Sequence, residues 1–596
     1  MDFKPSTYQQ DILDFFLNNP QSNMLVNALA GSGKSTTACM LSEHSKTSDL
    51  YIAFNASVVE EFKKKIKNPK TKVMTMHSLA YSIMLYNVEQ ESKDSGEKPK
   101  GFGSQRSKRT VSLDNFKPHK ILDEEITKRY GRYIEFAKRV FLKDNYVNLY
   151  NLCRLTLTDM SSNKDVSRLI NDHVLFLYYG DEGYSAPDIS EITSTLKILD
   201  TKSKQQFETQ GVIDFTDMLW ITFNKLKYDN WEVPYWALYT NIYCDEVQDF
   251  SNIQLNFLKF IKRTKGRYVF IGDFHQAIYN FAGANAQAFN QIPKMFAPVE
   301  TFDLPICYRC AKSHLSRVNR EYGIPILPCD NAPMGFVKTI DKNKISEYAK
   351  AGDMVISRKN KWIAEVVLDL ARNGTPIFIE DKEMVEAIKR QILSSKCTSV
   401  GTLEKFLQKV ISNYNKKLFE IVSKNVHDGG NEEERLEAVL EAVAETNSKI
   451  DNTSFLLEIL EGYLENHASS DSISKFSNFI DKLLNTTPSP NCVRLCSIHK
   501  AKGLEATNVF VLNEAKINYD FRNSKEQNIQ EKNLSYIATT RAKEGLYLVK
   551  EPSKTTTTRK IDYLLSDNYL LPDKDVLKKS EQDFKKAIVR ETMSYF

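Results

Sequence analysis

The chain has 596 residues, 41% of them hydrophobic and 26% charged, as in a globular protein, and its formal net charge is +5. The length predicts about four domains, and the slight charge permits a basic groove without requiring a nucleic-acid partner. No apolar run is long enough to span a bilayer, and the first residues lack the pattern of a signal peptide. With nine cysteines in so long a chain, we expect reduced thiols, no membrane partner and a cytoplasmic location, which includes a nucleoid or a host cytoplasm.

A helix over Asp11–Leu17 is predicted after the polar segment Ser6-Thr-Tyr-Gln-Gln10. A glutamine ahead of a phosphate-binding loop can pair with adenine, because its amide offers both a donor and an acceptor. A cap at the start of the helix explains the segment equally well. Gln9 has the better spacing for adenine, and Gln10 is the alternative.

The segment Ala28-Leu-Ala-Gly-Ser-Gly-Lys-Ser35 follows the apolar run Met24–Ala28 and opens a helix-favouring stretch, Thr36–Leu41. Strand, glycine loop and helix in this order are typical of a phosphate-binding loop, although an ordinary glycine turn has a similar composition. Gly31 and Gly33 let the backbone wrap a phosphate, which then faces the N–H groups of the loop and of the helix start.

Two side chains of this loop carry the expected chemistry. Lys34 is expected to reach the β- and γ-phosphates of a nucleotide, and the Ser35 hydroxyl is expected to hold Mg²⁺. One departure is Ala28, which stands where such loops usually have their first glycine. The predicted nucleotide contacts of the loop are Ala28, Leu29, Ala30, Gly31, Ser32, Gly33, Lys34, Ser35 and Thr36.

Two further strands are predicted at Asp49–Phe54 and Val73–Met76, and a helix ending in Lys63-Lys-Lys65 joins them. Alternating strands and helices imply a parallel sheet, with ligand crevices at the carboxyl ends of its strands. His77 directly follows the third strand and is therefore a candidate for ligand contact, although a structural role fits equally well.

The pattern changes from about Glu89. Residues Glu89–Thr110 are polar, rich in Lys and Arg and punctuated by glycine, which indicates a basic loop; solvation explains it slightly better than contact with nucleic acid. The stretch from Leu113 to about Lys204 is mostly helical by periodicity. Residues 89–205 are therefore interpreted as an α-helical insert.

Two adjacent carboxylates, Asp245 and Glu246, follow the apolar strand Asn241–Cys244. Carboxylates at the end of a buried strand, downstream of a phosphate loop, suit metal and water chemistry. Asp245 is expected to hold Mg²⁺, and Glu246 to orient or deprotonate the attacking water. An exposed acidic turn is the weaker alternative, because the strand before it is so apolar.

Another predicted strand, Tyr268–Gly272, ends in a polar turn. Gln276 in this turn is placed to sense a γ-phosphate. Tyr279 and Phe281 beside it are suited to stacking on bases, although aromatic residues are more often part of a core.

Six segments in their chain order resemble the motifs of the UvrD/Rep-like helicases of superfamily 1A. They run from residue 30 to residue 542 and are jointly specific. These segments are Ala30–Ser35, Asp245–Asp249, Gly272–Tyr279, Leu304–Arg309, Val493–Glu505 and Asn533–Ala542.

The resemblance implies an α/β fold of two RecA-like parallel-sheet motor lobes, each interrupted by a mainly helical insert, with ATP and Mg²⁺ bound between the lobes. It implies that Tyr308 stacks on adenine and that Glu505 belongs to the motif contacting DNA and ribose. Arg309 and Arg541 are implied to neutralise the transferring phosphoryl group, with Lys34, Glu246 and Gln276 as the other catalytic residues. The residues implied on the DNA path are Asn55, His77, Tyr279, Phe281 and His499.

The domains expected on this basis are two split lobes, two inserts and a tail. The first lobe comprises residues 1–88 and 206–290, and residues 89–205 are its insert. The second lobe comprises 291–396 and 491–552, and residues 397–490 are its insert. Residues 553–596 form the tail. Because Glu432–Glu445 is acidic and the lobe's motifs resume at Val493, the second insert is expected to be removable without loss of the motor.

Two departures from the family pattern are Ala282, where the family has an arginine, and Asn55-Ala-Ser57, where it has an Asn-Lys run. Both remove a cation and leave the hydrolysis residues intact.

Cys307 and Cys310, with Cys492 and Cys496, could alternatively be interpreted as zinc ligands, but the pattern indicates this only weakly.

The sequence therefore predicts an ATP-dependent DNA helicase that moves 3′→5′ on single-stranded DNA in replication, recombination or repair. Its expected partners are single-stranded DNA, duplex junctions and replication or repair proteins. The alternative is a translocase that strips proteins from single strands and unwinds little. A 5′→3′ helicase is a third reading, which the aromatic residues within Gly272–Gly283 oppose.

Overall fold

The computed structural model describes residues 4–94, 111–131, 136–173, 175–176, 187–278, 288–358, 360–373, 375–380, 382–395, 397–424, 453–484, 491–513 and 525–550. The chain divides into two compact units. The first comprises Met1–Tyr178 and Ser185–Pro305, and the second comprises Tyr179–Tyr184 and Ile306–Phe596.

The first unit is built on a six-stranded sheet in the order β3-β2-β6-β7-β1-β8, in which every pairing is parallel. Its strands are β1 (Asn23–Ala28), β2 (Asp49–Ala53), β3 (Thr71–Thr75), β6 (Tyr239–Cys244), β7 (Lys262–Gly272) and β8 (Val299–Leu304). A separate pair, β4 (Ser112–Leu113) and β5 (Val212–Ile213), is also parallel. Because β7 lies between β1 and β6, the loops that follow these three strands meet at one edge of the sheet.

Eleven described helices belong to this unit. They are α1 (Thr7–Asn18), α2 (Lys34–His44), α3 (Ala56–Lys65), α4 (Met76–Asp94), α5 (Lys117–Tyr130), α6 (Phe136–Thr156), α7 (Asn163–His173), α8 (Ile189–Gln210), α9 (Asp217–Tyr228), α10 (Asn252–Ile261) and α11 (Ala288–Met295).

Both faces of the first sheet are buried. Met24 and Val26 of β1 pack with Phe16 of α1 on one face, whereas Leu25 packs with Phe257 of α10 in the core of the other face. Successive side chains of a strand point to opposite faces, so an uninterrupted apolar run marks a strand covered on both sides. This explains why the apolar runs of the sequence located these strands.

Helices α5 to α8 share a core of their own, which includes Ile121, Tyr150 and Leu196. A buried ion network joins this part to the start of α9. The Arg154 guanidinium contacts Asp214 at 2.9 Å and Asp217 at 2.7 Å, and no more than 6% of any of these side chains is exposed. Such a buried network depends on every partner, because removing one leaves an uncompensated charge.

The second unit has its own six-stranded, fully parallel sheet in the order β11-β16-β15-β12-β14-β13. Its strands are β11 (Phe336–Asp341), β12 (Met354–Ser357), β13 (Ile377–Ile379), β14 (Val493–Ser497), β15 (Ala506–Leu512) and β16 (Ala542–Lys550). A short parallel pair, β9 (Ile306–Cys307) and β10 (Leu327–Pro328), precedes it. The prediction of an α/β fold with two parallel-sheet lobes is confirmed.

The described helices of the second unit fall before and between these strands. They are α12 (Lys312–Tyr322), α13 (Ile345–Tyr348), α14 (Asn360–Arg372), α15 (Lys382–Ser394), α16 (Val400–Lys424), α17 (453–464), α18 (Ile473–Leu483) and α19 (Lys525–Thr539).

Helices α16, α17 and α18 fall within the predicted second insert, yet they share one hydrophobic core with α14, α15 and the sheet. A Cβ atom on Gly462 of α17 would lie 2.7 Å from the Leu368 side chain of α14, so these two helices touch closely. In addition, Lys389 of α15 pairs with Asp481 of α18 at 2.5 Å. The described helices of residues 397–490 are therefore part of the packed unit, contrary to the expectation that they can be removed freely. Glu432–Glu445 lies outside the described residues.

The predicted boundary between residues 290 and 291 does not match the division of the chain. Strand β8 pairs with β1 from Asn23 opposite Val299 to Ala28 opposite Leu304, which keeps residues up to 305 in the first unit. Helices α4 and α8 likewise run past the expected limits at residues 88 and 205. The remaining domain assignments stay predictions. Within the described residues, no helix is both long enough and apolar enough to cross a membrane.

Candidate nucleotide-binding site

The glycine loop has the backbone that its sequence predicts. Gly31 and Gly33 have φ angles of +67° and +85°, which an L side chain adopts only with strain, and α2 begins directly at Lys34. The Thr37 hydroxyl donates to the Gly33 carbonyl at 3.0 Å and so secures the first turn of α2. The loop therefore presents a helix N-terminus, which favours an anion.

Gln9 lies against this loop. Its Oε1 accepts the Ser6 N–H at 3.0 Å in a capping box of α1, and its Nε2 donates to the Thr37 hydroxyl at 3.0 Å. The cap suggested by the sequence is thus formed, and the adenine contact stays a prediction. Gln10 is exposed and bonds to Asp14 instead.

The loop residues differ in which of their hydrogen-bonding groups remain available to a ligand. The Leu29 N–H donates to the Leu304 carbonyl at 3.2 Å, and the Ser32 N–H donates to the Leu29 carbonyl at 3.1 Å, so both amides are already used within the chain. The Ser32 hydroxyl, in contrast, is buried and has no hydrogen-bond partner within the described residues. Ala28 and Ala30 are buried, and Ser35 and Thr36 are more accessible. A buried, unpartnered hydroxyl inside a glycine cradle fits a phosphate oxygen.

Lys34 and Glu246 are brought together across the sheet. Glu246 follows β6 and Lys34 follows the loop after β1, and the Lys34 Nζ lies 3.3 Å from Glu246 Oε1. Glu246 has a left-handed backbone, with φ +50° and ψ +42°, which is unfavourable for a residue with a side chain. Strain of this kind is concentrated at functional sites, where surrounding contacts hold it in place.

Asp245 is a buried carboxylate, with 6% of the residue exposed. Its Oδ2 accepts the Tyr51 hydroxyl at 2.5 Å, and its Oδ1 accepts the Glu246 N–H at 3.0 Å. Burial, together with the charge of Glu246, raises the pKa of Asp245 to about 6, although the Tyr51 hydrogen bond and the charge of Lys34 oppose this. Tyr51 could not be singled out from the sequence, because its partner follows a different strand.

The charges around Lys34 favour its protonated form. Burial alone lowers the pKa of Lys34, but the carboxylates of Glu246, Asp273 and Asp245 outweigh burial and raise it above its ordinary value. Three carboxylates around one ammonium group leave a surplus of negative charge. The site therefore suits a divalent cation, and oxygen donors such as those of Ser35 and Asp245 are the ligands that Mg²⁺ prefers.

Gln248 and Asp273 extend the hydrogen-bond network next to the pair of Lys34 and Glu246. The Gln248 Nε2 donates to Glu246 Oε2 at 2.5 Å, and its Oε1 accepts the Asp273 N–H at 3.0 Å. The Gln276 Nε2 donates to Asp273 Oδ2 at 2.7 Å. Gln276 thus contacts Asp273, and its predicted role toward the γ-phosphate stays a prediction. Gln248 was missed because it follows two acidic residues that carry the stronger signal.

Two predicted nucleotide residues of the second unit, Arg309 and Glu505, pair with each other, with Arg309 Nε 2.6 Å from Glu505 Oε2. Lys543 also contacts Glu505, at 2.8 Å. Burial raises the pKa of Glu505, but the hydrogen bonds and charges of Lys543 and Arg309 outweigh it and lower the pKa overall. Tyr308 is 50% exposed, which leaves its ring open to a stacking partner.

Arg541 differs from Arg309, because only 1% of it is exposed. Its Nε donates to the Ile537 carbonyl at 3.1 Å, and its Nη1 donates to the Leu504 carbonyl at 3.3 Å. These bonds tie α19 to the turn before β15. Arg541 therefore has a structural role in the second unit, whatever its role toward nucleotide.

The predicted DNA contacts have varied surroundings. Asn55 is exposed and caps α3, where its Oδ1 accepts the Val58 N–H at 2.9 Å. His77 stacks on Phe215 at 4.3 Å, and burial lowers its pKa to about 4. Phe215 is 51% exposed, so this stack reaches the surface, a feature that the sequence reading missed.

His499 lies in the turn after β14, and burial, with the charges of Arg358 and Lys502, lowers its pKa to about 3. Tyr279, Phe281 and Ala282 lie outside the described residues. Their predicted roles toward DNA stay predictions.

The cysteines considered as zinc ligands are all reduced. The Cys310 N–H lies 3.4 Å from the Cys307 Sγ, and Cys492 and Cys496 are buried at β14. Within the described residues, no group of three or more His, Cys, Asp or Glu side chains is placed to hold a metal.

A glycine loop before α2, a lysine in ion-pair contact with a glutamate after a neighbouring strand, and a parallel sheet beneath them define a P-loop nucleotide-binding protein. Residues 11–297 match the model of the UvrD/REP helicase N-terminal domain, and residues 493–549 match that of the UvrD-like helicase C-terminal domain. The two matches together cover more than half of the chain, which therefore belongs to the UvrD/Rep helicase family. The resemblance inferred from the motifs, with its RecA-like lobes, is confirmed.

Similar proteins include a probable DNA helicase II homolog of Mycoplasma pneumoniae, 24% identical over 428 residues, which are 58% of this chain and 59% of that protein. DNA helicase II of Escherichia coli is 30% identical over 111 residues, which are 18% of this chain and 15% of the relative. F-box DNA helicase protein 1 of Schizosaccharomyces pombe is 22% identical over 565 residues, 89% of this chain and 56% of the relative. The chain thus spans less than two thirds of the length of each of these relatives.

Proposed function

We propose that this chain is an ATP-driven DNA helicase that translocates 3′→5′ on single-stranded DNA during replication, recombination or repair. The observation that carries this proposal is the 3.3 Å contact between Lys34 of the phosphate loop and Glu246. A cation for the phosphates and a carboxylate for the attacking water then occupy one site. The family and the relatives named as DNA helicases support DNA as the substrate.

In the proposed reaction, the glycine loop and the start of α2 bind the phosphates through backbone N–H groups. Lys34 leaves Glu246 to contact the β- and γ-phosphates, and Glu246 is then available to orient a water and accept its proton. Mg²⁺, held by Ser35 and Asp245, would supply charge neutralisation on the phosphate oxygens. Gln276 is assigned the sensing of the terminal phosphate.

Residues of the second unit are assigned the remaining nucleotide roles. Tyr308 stacks on adenine and Glu505 contacts ribose, while Arg309 and Arg541 stabilise the charge of the transferring phosphoryl group. These roles rest on the motifs that carry the residues. The exposure of Tyr308 supports its assignment, whereas the buried bonds of Arg541 mean that its substitution affects folding as well.

For DNA, we assign the contacts to Asn55, His77, Tyr279, Phe281 and His499. The stack of His77 on the half-exposed Phe215 supports a contact with an unpaired base, since a flat aromatic face at the surface is what base stacking uses. His77 is neutral at physiological pH, because its pKa of about 4 lies well below 7. It would therefore act by stacking and hydrogen bonding rather than as a cation.

The test combines three measurements on the full chain. ATP hydrolysis is measured with and without single-stranded DNA, and strand displacement is measured on duplexes with a 3′ or a 5′ tail. The expected result is ATPase stimulated by DNA and unwinding from the 3′ tail alone, both absent in Lys34→Ala. Wild-type protein without ATPase, or unwinding from the 5′ tail, would refute the proposal.

The alternative is a translocase that displaces bound proteins and unwinds little. Ala282, which replaces a family arginine, favours this reading because it removes a cation from the predicted DNA contacts. A parallel assay that follows the release of a protein bound to single-stranded DNA separates the two activities. Protein release without strand displacement would support the translocase.

A further inference from the structure

Gln248 is a buried polar residue beside the proposed general base, and none of the roles assigned to the motif residues includes it. It lies in the 3₁₀ turn Val247–Asp249, and only 2% of it is exposed. Burial of an amide is costly unless its donors and acceptors are satisfied. Its contacts therefore indicate what the site requires of it.

The two ends of the Gln248 amide have different partners. The Nε2 donates to Glu246 Oε2 at 2.5 Å, and the Oε1 accepts the Asp273 N–H at 3.0 Å. An ionised carboxylate can only accept and a backbone N–H can only donate, so these partners allow one orientation of the amide. Gln248 is thus a directional link from the end of β7 to the Glu246 carboxylate.

Gly272 makes room for this link. A Cβ atom at residue 272 would lie 2.4 Å from the Gln248 Oε1, closer than any real contact of a Cβ atom. Residue 272, the last of β7, must therefore lack a side chain, because a Cβ there would occupy the space of the Gln248 amide that bonds to the Asp273 N–H.

The contact of the other carboxylate oxygen of Glu246, Oε1, explains why the bond from Gln248 is important for hydrolysis. Oε1 of Glu246 lies 3.3 Å from the Lys34 Nζ. When Lys34 turns to the phosphates of a nucleotide, this contact weakens, whereas the bond from Gln248 to Oε2 does not depend on Lys34. Gln248 can therefore hold the carboxylate in place in the state in which it must orient water.

We propose that Gln248 is a positioning residue for ATP hydrolysis, which holds Glu246 toward the attacking water and is itself anchored on the Asp273 backbone. This inference rests on the proposed ATPase function. It assigns Gln248 no contact with nucleotide or DNA, so its loss should lower the turnover rate and leave substrate binding almost unchanged.

The test compares a substitution that breaks only the bond to Glu246 with one that breaks both bonds of the link. Gln248→Glu keeps the acceptor for the Asp273 N–H but replaces the donor facing Glu246 with a repelling carboxylate. Gln248→Met keeps the approximate length and loses both bonds. Gln254→Met is the matched control, because Gln254 Oε1 accepts the Ser251 N–H at 2.8 Å in the capping box of α10. This control loses hydrogen bonds that the amide oxygen of Gln254 accepts, six positions away from Gln248.

We expect both Gln248 variants to lower kcat for ATP about tenfold to a hundredfold, with KM for ATP within about twofold of wild type. Gln254→Met should keep the wild-type kcat even if its melting temperature falls. Gly272→Ala should displace the amide and also lower kcat, but its Cβ would crowd Val247 as well, at 3.0 Å from Cγ1 and 3.3 Å from N, so this variant supports the other two and does not decide alone. Thermal melts of all variants show which of them are folded.

A wild-type kcat in folded Gln248→Glu would overturn the inference, because the amide would then serve only to anchor Asp273. If Gln248→Met fails to fold, Gln248→Glu alone decides the question, since it keeps the anchoring bond. A larger KM for ATP with an unchanged kcat would also overturn it. Failure of the proposed function has a different signature, namely ATPase activity that is absent from wild type or survives in Lys34→Ala.

Discussion

Replacement of residues 397–490 by a short Gly/Ser linker should destroy the second unit rather than leave a working motor. Among the described residues of this region, twelve buried side chains belong to the core that α14, α15 and the sheet also form. They are Val400, Leu403, Leu407, Phe455, Leu456, Ile459, Leu460, Tyr463, Phe476, Ile480, Leu483 and Leu484.

The magnitude follows from the burial of these side chains. Complete burial of one large apolar side chain stabilises a protein by about 1.5–3 kcal/mol, so twelve contribute roughly 18–36 kcal/mol. Much of this burial is among the three helices themselves. If roughly a third is against the rest of the unit, about 6–12 kcal/mol is lost, which is as large as the whole stability of a typical domain.

The assay is a thermal melt followed by circular dichroism, with size-exclusion chromatography to detect aggregation. The matched control replaces residues 425–452 with a Gly/Ser segment of equal length, which keeps all twelve core side chains. We expect the control to melt cooperatively and remain monodisperse, and the full replacement to aggregate or lose its cooperative transition. A full replacement that stays monodisperse and melts within a few degrees of wild type would refute this reasoning.

Three further predictions concern the sites. Lys34→Ala should lose ATP hydrolysis and keep its affinity for single-stranded DNA in fluorescence anisotropy; ATPase near the wild-type rate would contradict the loop assignment. Arg309→Ala should bind ATP almost normally but turn over on the order of a thousandfold more slowly, whereas Lys543→Ala, which removes the other cation beside Glu505, should keep its kcat; loss of nucleotide binding alone in Arg309→Ala would contradict the assigned role. For His77, burial lowers the pKa to about 4, below the ordinary 6.5, so the unfolded chain binds the proton more readily and stability falls as pH decreases from about 6.5 towards 4. His77→Asn should therefore lose less melting temperature between pH 7 and pH 5 than wild type, and an equal loss would show that His77 is not the titrating group.

Several features could be predicted from the sequence because they are encoded locally. The apolar run before the loop predicted β1, and the glycines of the loop predicted its backbone, which has positive φ at Gly31 and Gly33. The acidic pair after β6 and the turn after β7 were placed at the same edge of the sheet as the loop. Parallel strands joined by helices bring their carboxyl ends together, so motif order alone was enough for this part of the site.

Other features depended on contacts that a single segment does not encode. The assignment of Val299–Leu304 to the first sheet was missed, because its pairing with β1 joins residues more than 270 positions apart. The role of Asn55 as the cap of α3 competes with its predicted contact with DNA. A polar residue after a strand fits both uses equally well until the helix that follows is in place.

The sequence by itself determined the family, the two parallel sheets, and the positions after β1, β6 and β7 of the residues predicted for the nucleotide site. It could do so because glycine conformations, apolar runs and charged strand ends are local properties that survive without knowledge of the fold. Only the tertiary structure decided that the Tyr51 hydroxyl and the Gln248 amide hold Asp245 and Glu246. It also decided that α16, α17 and α18 belong to the core of the second unit. Hydrogen bonds and apolar packing between distant segments depend on the register and approach of whole elements, which no local pattern specifies.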